Sequence, residues 1–343
     1  MQHWKAYTIA FLNDTNPSPL MLKAYFNSAF SQAVPAPQAA QFPTRFWITV
    51  FIGFSMLALA VMWSRWGGTV EDSLAYFNTA RFFRGEIPAT ELRAPFPYRI
   101  LVPSLAAFFP GDVRNNFALL NWLAVSAAAF AIALSAARIG MDKSRALLAG
   151  GLLILSVPTF WYAPYLLTDP GSVCARAFFV LGVLSGQPWL AAIAGLVGTL
   201  IREENILLLV WLVAMRRIAL LPGIAALGAA GLCLVSIRWY LIPGLPSYTW
   251  VPHFAVVLAA LADVRSLASI AAAIGVVFPL ALLGWRKAPP VLAPLKSLIL
   301  LMALPPLYAA LCVRVDGRAV WGLYPMLIPF AISYLHQRST ASK

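Results

Sequence analysis

WGGTVEDSLAYFNTARFFRGEIPATELRAPFPYRILVP, residues 66–103, is the stretch that decides how this chain folds. It carries four of the twelve acidic residues, Glu71, Asp72, Glu86 and Glu91, together with Pro88, Pro95, Pro97 and Pro103. Residues 71–84 have helical spacing and mixed polarity, the pattern of a helix lying in a membrane interface rather than crossing the bilayer. Residues 99–109 are apolar, yet at ~1.5 Å per residue they reach only about half of a ~30 Å hydrocarbon core. A second interfacial or partly inserted helix is expected there.

Everything around this polar island is apolar. With 61% hydrophobic and 11% charged residues, the chain falls far below the ~25% charged share of soluble domains. The expected fold is all-α, a polytopic transmembrane helix bundle of about ten spans with interfacial helices in the first periplasmic loop. Residues 1–45 read as a cytoplasmic N-terminal segment ending in an Ala/Pro/Gln linker, without a cleavable signal. Residues 46–335 form the transmembrane domain, in which 46–63 is an uncleaved anchor and 64–115 the working first loop. Residues 336–343 are a cytoplasmic tail. The other spans are expected at about 117–137, 146–164, 171–186, 188–201, 205–215, 218–237, 266–284, 295–312 and 319–334.

The formal charge of +13 does not indicate nucleic acid, because the basic residues fall singly or in pairs between apolar runs, as positive-inside loops require. That rule places both termini in the cytoplasm. Only Asp14 and Asp142 of the twelve acids lie on the inner side. Acids weigh little in setting topology, so their crowding on the other face points to a working surface. Cys174, Cys233 and Cys312, like the three histidines, are scattered, which excludes a disulfide framework or a His/Cys metal site. Walker-type, dinucleotide-binding and Gly-x-Ser-x-Gly patterns are missing as well.

The candidate chemistry lies on that acidic face. Asp72 shares a helix face with Tyr76, Thr79 and Phe83, offering one carboxylate as a general base; Glu71 points about 100° away. Both acids also suit a plain helix start after Gly67 and Gly68. Asp169 stands in TDPGS at the head of a span, as a substrate contact or an N-cap. Arg202, Glu203 and Glu204 form the tip of a short hairpin, sunk below the membrane surface. Ionisable groups at that depth face a cavity or pair with one another. Arg314, Asp316 and Arg318 precede the final span, as a phosphate contact or a solvated turn. Arg176 and Lys296 are expected to snorkel to an interface. Carboxylates and arginines on the outer face of a membrane protein suit transfer of a group from a lipid phosphate: the acid as base on an acceptor hydroxyl, the guanidiniums on the departing phosphate.

Four runs in this order resemble the GT-C class of polyprenyl-phosphate-sugar-dependent glycosyltransferases, bacterial members of unknown acceptor. They are Asp72, Tyr76, Ala80 and Gly85; Pro95, Phe96, Tyr98, Arg99, Leu101 and Pro103; Thr168, Asp169 and Pro170 with Gly195, Gly198 and Arg202; and Asp316 with Arg318. They span residues 66–330. The resemblance implies an inverting membrane glycosyltransferase of the bacterial inner membrane, active on its periplasmic face. It implies Asp72 and Glu71 as catalytic acids. Tyr76, Tyr98, Arg99, Asp169, Arg202, Glu203, Glu204, Asp316 and Arg318 would bind substrate. Its partners would be a polyprenyl-phosphate-linked sugar donor, a lipid or glycan acceptor and membrane lipid, with no nucleic acid. The first loop departs from many members in lacking Asp-x-Asp or Glu-x-Asp, so a divalent metal has no ready ligands there and no cofactor is assigned. With no large C-terminal domain, acceptor binding falls to loops such as 238–254. A flippase of a lipid-linked glycan and a non-catalytic envelope assembly subunit are the alternatives. Against the flippase stands the absence of a repeat between the two halves.

Overall fold

The computed structural model describes residues 42–70, 72–245, 251–313 and 317–341. Among them the chain forms seventeen α-helices joined by short turns, and no strand. In order these are α1 (Thr44–Met62), α2 (Ser73–Phe83), α3 (Leu101–Phe108), α4 (Val113–Arg138), α5 (Lys143–Ile154), α6 (Val157–Tyr162), α7 (Asp169–Leu184), α8 (Pro188–Ile201) and α9 (Ile206–Ala214). There follow α10 (Leu220–Ser236), α11 (Phe254–Ala262), α12 (Val264–Ile274), α13 (Val277–Trp285), α14 (Ala293–Met302), α15 (Leu304–Cys312), α16 (Gly317–Trp321) and α17 (Tyr324–Ala341).

The two helices expected in the first loop are present as α2 and α3, and the hairpin around Arg202 as α8 and α9. The expectation of about ten spans is met only in part. By length and composition four stretches among the described residues can cross a membrane: Thr44–Arg65, Val113–Arg138, Leu220–Leu241 and Pro290–Cys312. A fifth is added if α11 and α12, bent by 90°, count as one. Several expected spans are broken or short for identifiable reasons. Gly275, at φ +46°, separates α12 from α13, a conformation that favours glycine. The 16 residues of α7 and 14 of α8 give only about 21–24 Å of helix.

The centre of the bundle is α7, packed between α4 and α8. Its neighbours supply small residues: Ala128, Ala129, Ala131 and Ala133 on α4, Ala191 and Ala194 on α8, all buried. Small residues let helix backbones approach where lipid supplies no hydrophobic drive between helices. At Gly182 a β-carbon would lie 2.6 Å from the amide nitrogen of Ala191, so that crossing admits no side chain. Large apolar side chains point outward instead, among them Met56, Leu220 and Leu232, as a helix surface facing lipid requires. α7 thereby carries its first residue, Asp169, and the mid-helix Arg176 into the protein interior.

Candidate functional site

Asp72 immediately precedes α2. Its carbonyl accepts from the amides of Ala75 and Tyr76, but its carboxylate makes no capping hydrogen bond. Instead Oδ2 accepts from Nη2 of Arg318 at 2.9 Å. A helix start, the plain reading of this acid, does not account for where its side chain goes.

Arg318 lies on α16, whose seat depends on Gly317. A β-carbon there would meet the Ser269 carbonyl oxygen at 2.4 Å. The Gly317 amide donates to Ser269 Oγ at 3.1 Å, and the Tyr162 hydroxyl lies 3.1 Å from the same oxygen. The Tyr162 ring centroid in turn lies 5.9 Å from the Arg318 guanidinium carbon, so α6, α12 and α16 together fix that guanidinium.

From Arg318 the charges continue inward. Its Nη1 is 4.0 Å from Asp169 Oδ2, and Asp169 Oδ1 accepts from Arg202 Nη1 at 2.6 Å. Arg202 Nε donates to Glu204 Oε1 at 2.8 Å, and the same oxygen accepts from Arg176 Nη2 at 3.1 Å. The result is a ladder of alternating sign, Asp72, Arg318, Asp169, Arg202, Glu204, Arg176. Alternation offsets the desolvation that would otherwise expel each charge from the interior. A side branch runs from Glu203, whose Oε2 accepts from Arg99 Nε at 3.1 Å. Arg99 Nη1 donates to the Tyr76 hydroxyl at 2.5 Å. Arg238 approaches Glu203 Oε1 to 3.7 Å and lies 4.9 Å from the Tyr98 ring.

Eight sequence-derived candidates are therefore brought together: Asp72, Tyr76, Arg99, Asp169, Arg202, Glu203, Glu204 and Arg318, with Tyr98 beneath Arg238. Glu71 and Asp316, with Arg314, lie outside the described residues. Asp169 is no simple cap, since its side chain spans the gap to Arg202.

Arg176 corrects the sequence expectation. It does not snorkel but is buried, with Nε donating to Asn205 Oδ1 at 2.8 Å and Nη1 to the Gly322 carbonyl at 3.0 Å. A β-carbon on Gly322 would stand 2.5 Å from Nη1. The sequence carried a usable signal: Asp169, Ser172 and Arg176 sit at i, i+3 and i+7 on one face of α7. Arg238 and Ser269 carried none.

Glu204 lies on the turn between α8 and α9. Burial pushes its carboxyl up, but Arg202, Arg176 and Arg99 outweigh that and hold it down at about 2. It is therefore ionised at any physiological pH. Five guanidiniums, those of Arg99, Arg176, Arg202, Arg238 and Arg318, meet four carboxylates across the cluster among the described residues. One Asp169 carboxylate oxygen, Oδ2, and the Thr168 hydroxyl are buried without a hydrogen-bond partner. Such an arrangement can receive an anion at its guanidiniums and still keep every acid near a cation. Among the described residues no three His, Cys, Asp or Glu side chains converge as a metal site.

No protein-family model matches this chain, and no curated protein sequence matches it.

Proposed function

We propose that this protein is an integral-membrane glycosyltransferase that moves a sugar from a polyprenyl-phosphate donor to a hydroxyl acceptor, a lipid or glycan, on the periplasmic face of a bacterial inner membrane. The observation that carries this is the contact between Asp72, in the first loop, and Arg318, 246 residues further on. It joins a base candidate to a train of guanidiniums.

In the proposed reaction the donor phosphate enters between Arg318 and Arg202 and takes over the hydrogen bond that Asp72 holds on Arg318. Guanidinium forks match phosphate oxygens bidentately. Asp72, displaced, accepts the proton of the acceptor hydroxyl. The acceptor oxygen forms its bond to the anomeric carbon on the side opposite the phosphate, and the bond from that carbon to the phosphate oxygen breaks. The electron pair leaves with the polyprenyl phosphate, whose charge is held by the guanidiniums. Attack from the opposite side inverts the anomeric centre. Asp169, fixed by Arg202, orients Arg318 from below, and Arg99 holds the Tyr76 hydroxyl.

The test is purified protein with labelled polyprenyl-phosphate sugars and a mixture of lipid acceptors. The wild type is expected to consume one donor, and Asp72→Asn to lose about 10²–10⁴-fold, the usual share of a general base. Turnover by Asp72→Asn at the wild-type rate would remove the catalytic role. Movement of intact lipid-linked glycan across vesicles without donor consumption would favour a flippase.

A further inference from the structure

Arg65 and Arg114, at the Asp72 end of the bundle, stand outside the charge ladder. Arg65 closes the first candidate span, Thr44–Arg65, and Arg114 is the second residue of α4, the next one, Val113–Arg138. One span ends where the other begins, so both side chains lie at the same membrane surface. The arginines of the ladder each have a carboxylate within 4.0 Å. Among the described residues Arg65 and Arg114 have none.

What holds Arg65 is aromatic. Its guanidinium carbon lies 4.4 Å from the Phe160 ring centroid and 4.5 Å from that of Trp161, and Nη1 reaches the Tyr165 hydroxyl at 3.5 Å. Arg114 likewise lies 5.1 Å from the Phe77 ring. The segment carrying Arg65 is clipped to the aromatic segment by two backbone hydrogen bonds, Gly67 amide to Pro164 carbonyl at 3.2 Å and Leu166 amide to Gly68 carbonyl at 3.3 Å. A β-carbon built on Gly67, which sits at φ +65°, would lie 3.5 Å from the Arg114 carbonyl oxygen, so the turn after Arg65 runs beside Arg114 and brings the two cations into one small patch.

Rings against the guanidinium faces stabilise the cation and leave its edge, where the N–H donors lie, turned away from them. That edge suits a tetrahedral oxyanion taken bidentately. On the proposed orientation this end lies away from the positive inner loops, so Arg65 and Arg114, lacking a carboxylate partner among the described residues, suit a compensating anion. Exposed apolar side chains surround them: Trp63, 68% exposed, and Trp161, 47% exposed. Aromatic residues of this kind sit at the headgroup level. We infer that Arg65 and Arg114, backed by Phe160, Trp161 and Phe77, form a seat for the phosphate of an outer-leaflet phospholipid, separate from the guanidiniums of Arg318 and Arg202. The inference rests on the proposed orientation of the chain in the membrane, not on the proposed transfer reaction.

The experiment titrates full-length protein in mild detergent with fluorescent phosphatidylglycerol. Arg65→Gln and Arg114→Gln are each expected to weaken binding about tenfold, the loss of a charged hydrogen-bonding partner. Arg138→Gln, at the opposite end of α4, should bind as the wild type does. Arg65→Lys, which keeps charge and stem but loses the fork, should fall between, and it decides the matter if Arg65→Gln does not fold. Wild-type affinity in both Arg65 variants, or an equal loss in Arg138→Gln, would overturn the seat. Inorganic phosphate alone should compete only in large excess; equal affinity for it would reassign the seat to a soluble anion and overturn the lipid.

Discussion

Removing Arg176 is the sharpest test of the ladder as a physical unit. In Arg176→Met the side chain keeps most of its bulk and loses three hydrogen bonds, to Glu204, Asn205 and Gly322. Glu204 is not orphaned, because Arg202 still donates to the same oxygen at 2.8 Å. The stranded groups are Asn205 Oδ1 and the Gly322 carbonyl, at about 1–3 kcal/mol each when left buried and unpaired. The expected loss is therefore about 2–6 kcal/mol, a range that brackets the ~3–5 kcal/mol of a fully broken buried pair. The assay is unfolding of the purified protein in detergent, run as a double-mutant cycle with Glu204→Gln. Contacting members of one network couple by about 0.5–3 kcal/mol. A loss below about 1 kcal/mol with coupling below about 0.5 kcal/mol would show that Arg176 is not part of a cooperative network, and the ladder would reduce to separate ion pairs.

The same pair makes a pH prediction. The Glu204 carboxyl is held at about 2, below its ordinary 4.5, so its stabilisation is fully present above about 4.5 and lost as pH falls through about 2. In Arg176→Met one of the restraining guanidiniums is gone and the carboxyl rises, so acid unfolding should begin at a higher pH than in the wild type; coincident acid profiles would contradict this. Asp169→Asn should cost about 1–3 kcal/mol in the same unfolding assay, since Arg202 loses one charged partner but keeps Glu204, and Asp72→Asn about 0–1 kcal/mol, since its pair with Arg318 is partly open to solvent. Gly317→Ala, whose new methyl would press on the Ser269 carbonyl at 2.4 Å, should disturb Arg318 and lower donor binding, measured by lipid titration; unchanged binding would show that α16 can shift freely. Asp112→Ala removes the cap of α4, in which the carboxylate accepts from the Asn115 amide at 3.0 Å, and should cost about 1 kcal/mol by thermal unfolding.

How much of this could be read in the sequence follows from what is local and what is not. The loop helices α2 and α3 and the α8/α9 hairpin were legible because polarity, glycine and proline punctuate them within a few residues. Charge depth was legible too: Arg202, Glu203 and Glu204 between two apolar arms had to be sheltered. Pairing was not. Arg318 finds Asp72 across 246 residues and Arg99 finds Glu203 across 104, and no periodicity specifies such partners. The number of crossing helices was illegible for a different reason. The apolar run at 266–284, broken by a glycine at φ +46°, reads as a single span until backbone geometry divides it.

The two acids flanking Arg318 are chemically alike but physically unequal, and the inequality gives the cluster a direction. Asp169 is 9% exposed and clasped by Arg202 at 2.6 Å; Asp72 is 28% exposed and its described ion pair is with Arg318 alone. A partly exposed pair is held more weakly than a buried one, whose breaking costs about 3–5 kcal/mol. In the proposed reaction an anion arriving at Arg318 would displace Asp72, while Arg202 keeps Asp169 in place. The carboxylate set free is the one on the solvent side, beside the first-loop helices, while the buried acid stays to hold the guanidinium in place. A phosphate-bearing ligand would thus release the proposed base by the act of binding, and the ladder behind Asp169 would keep the rest of the site from following it.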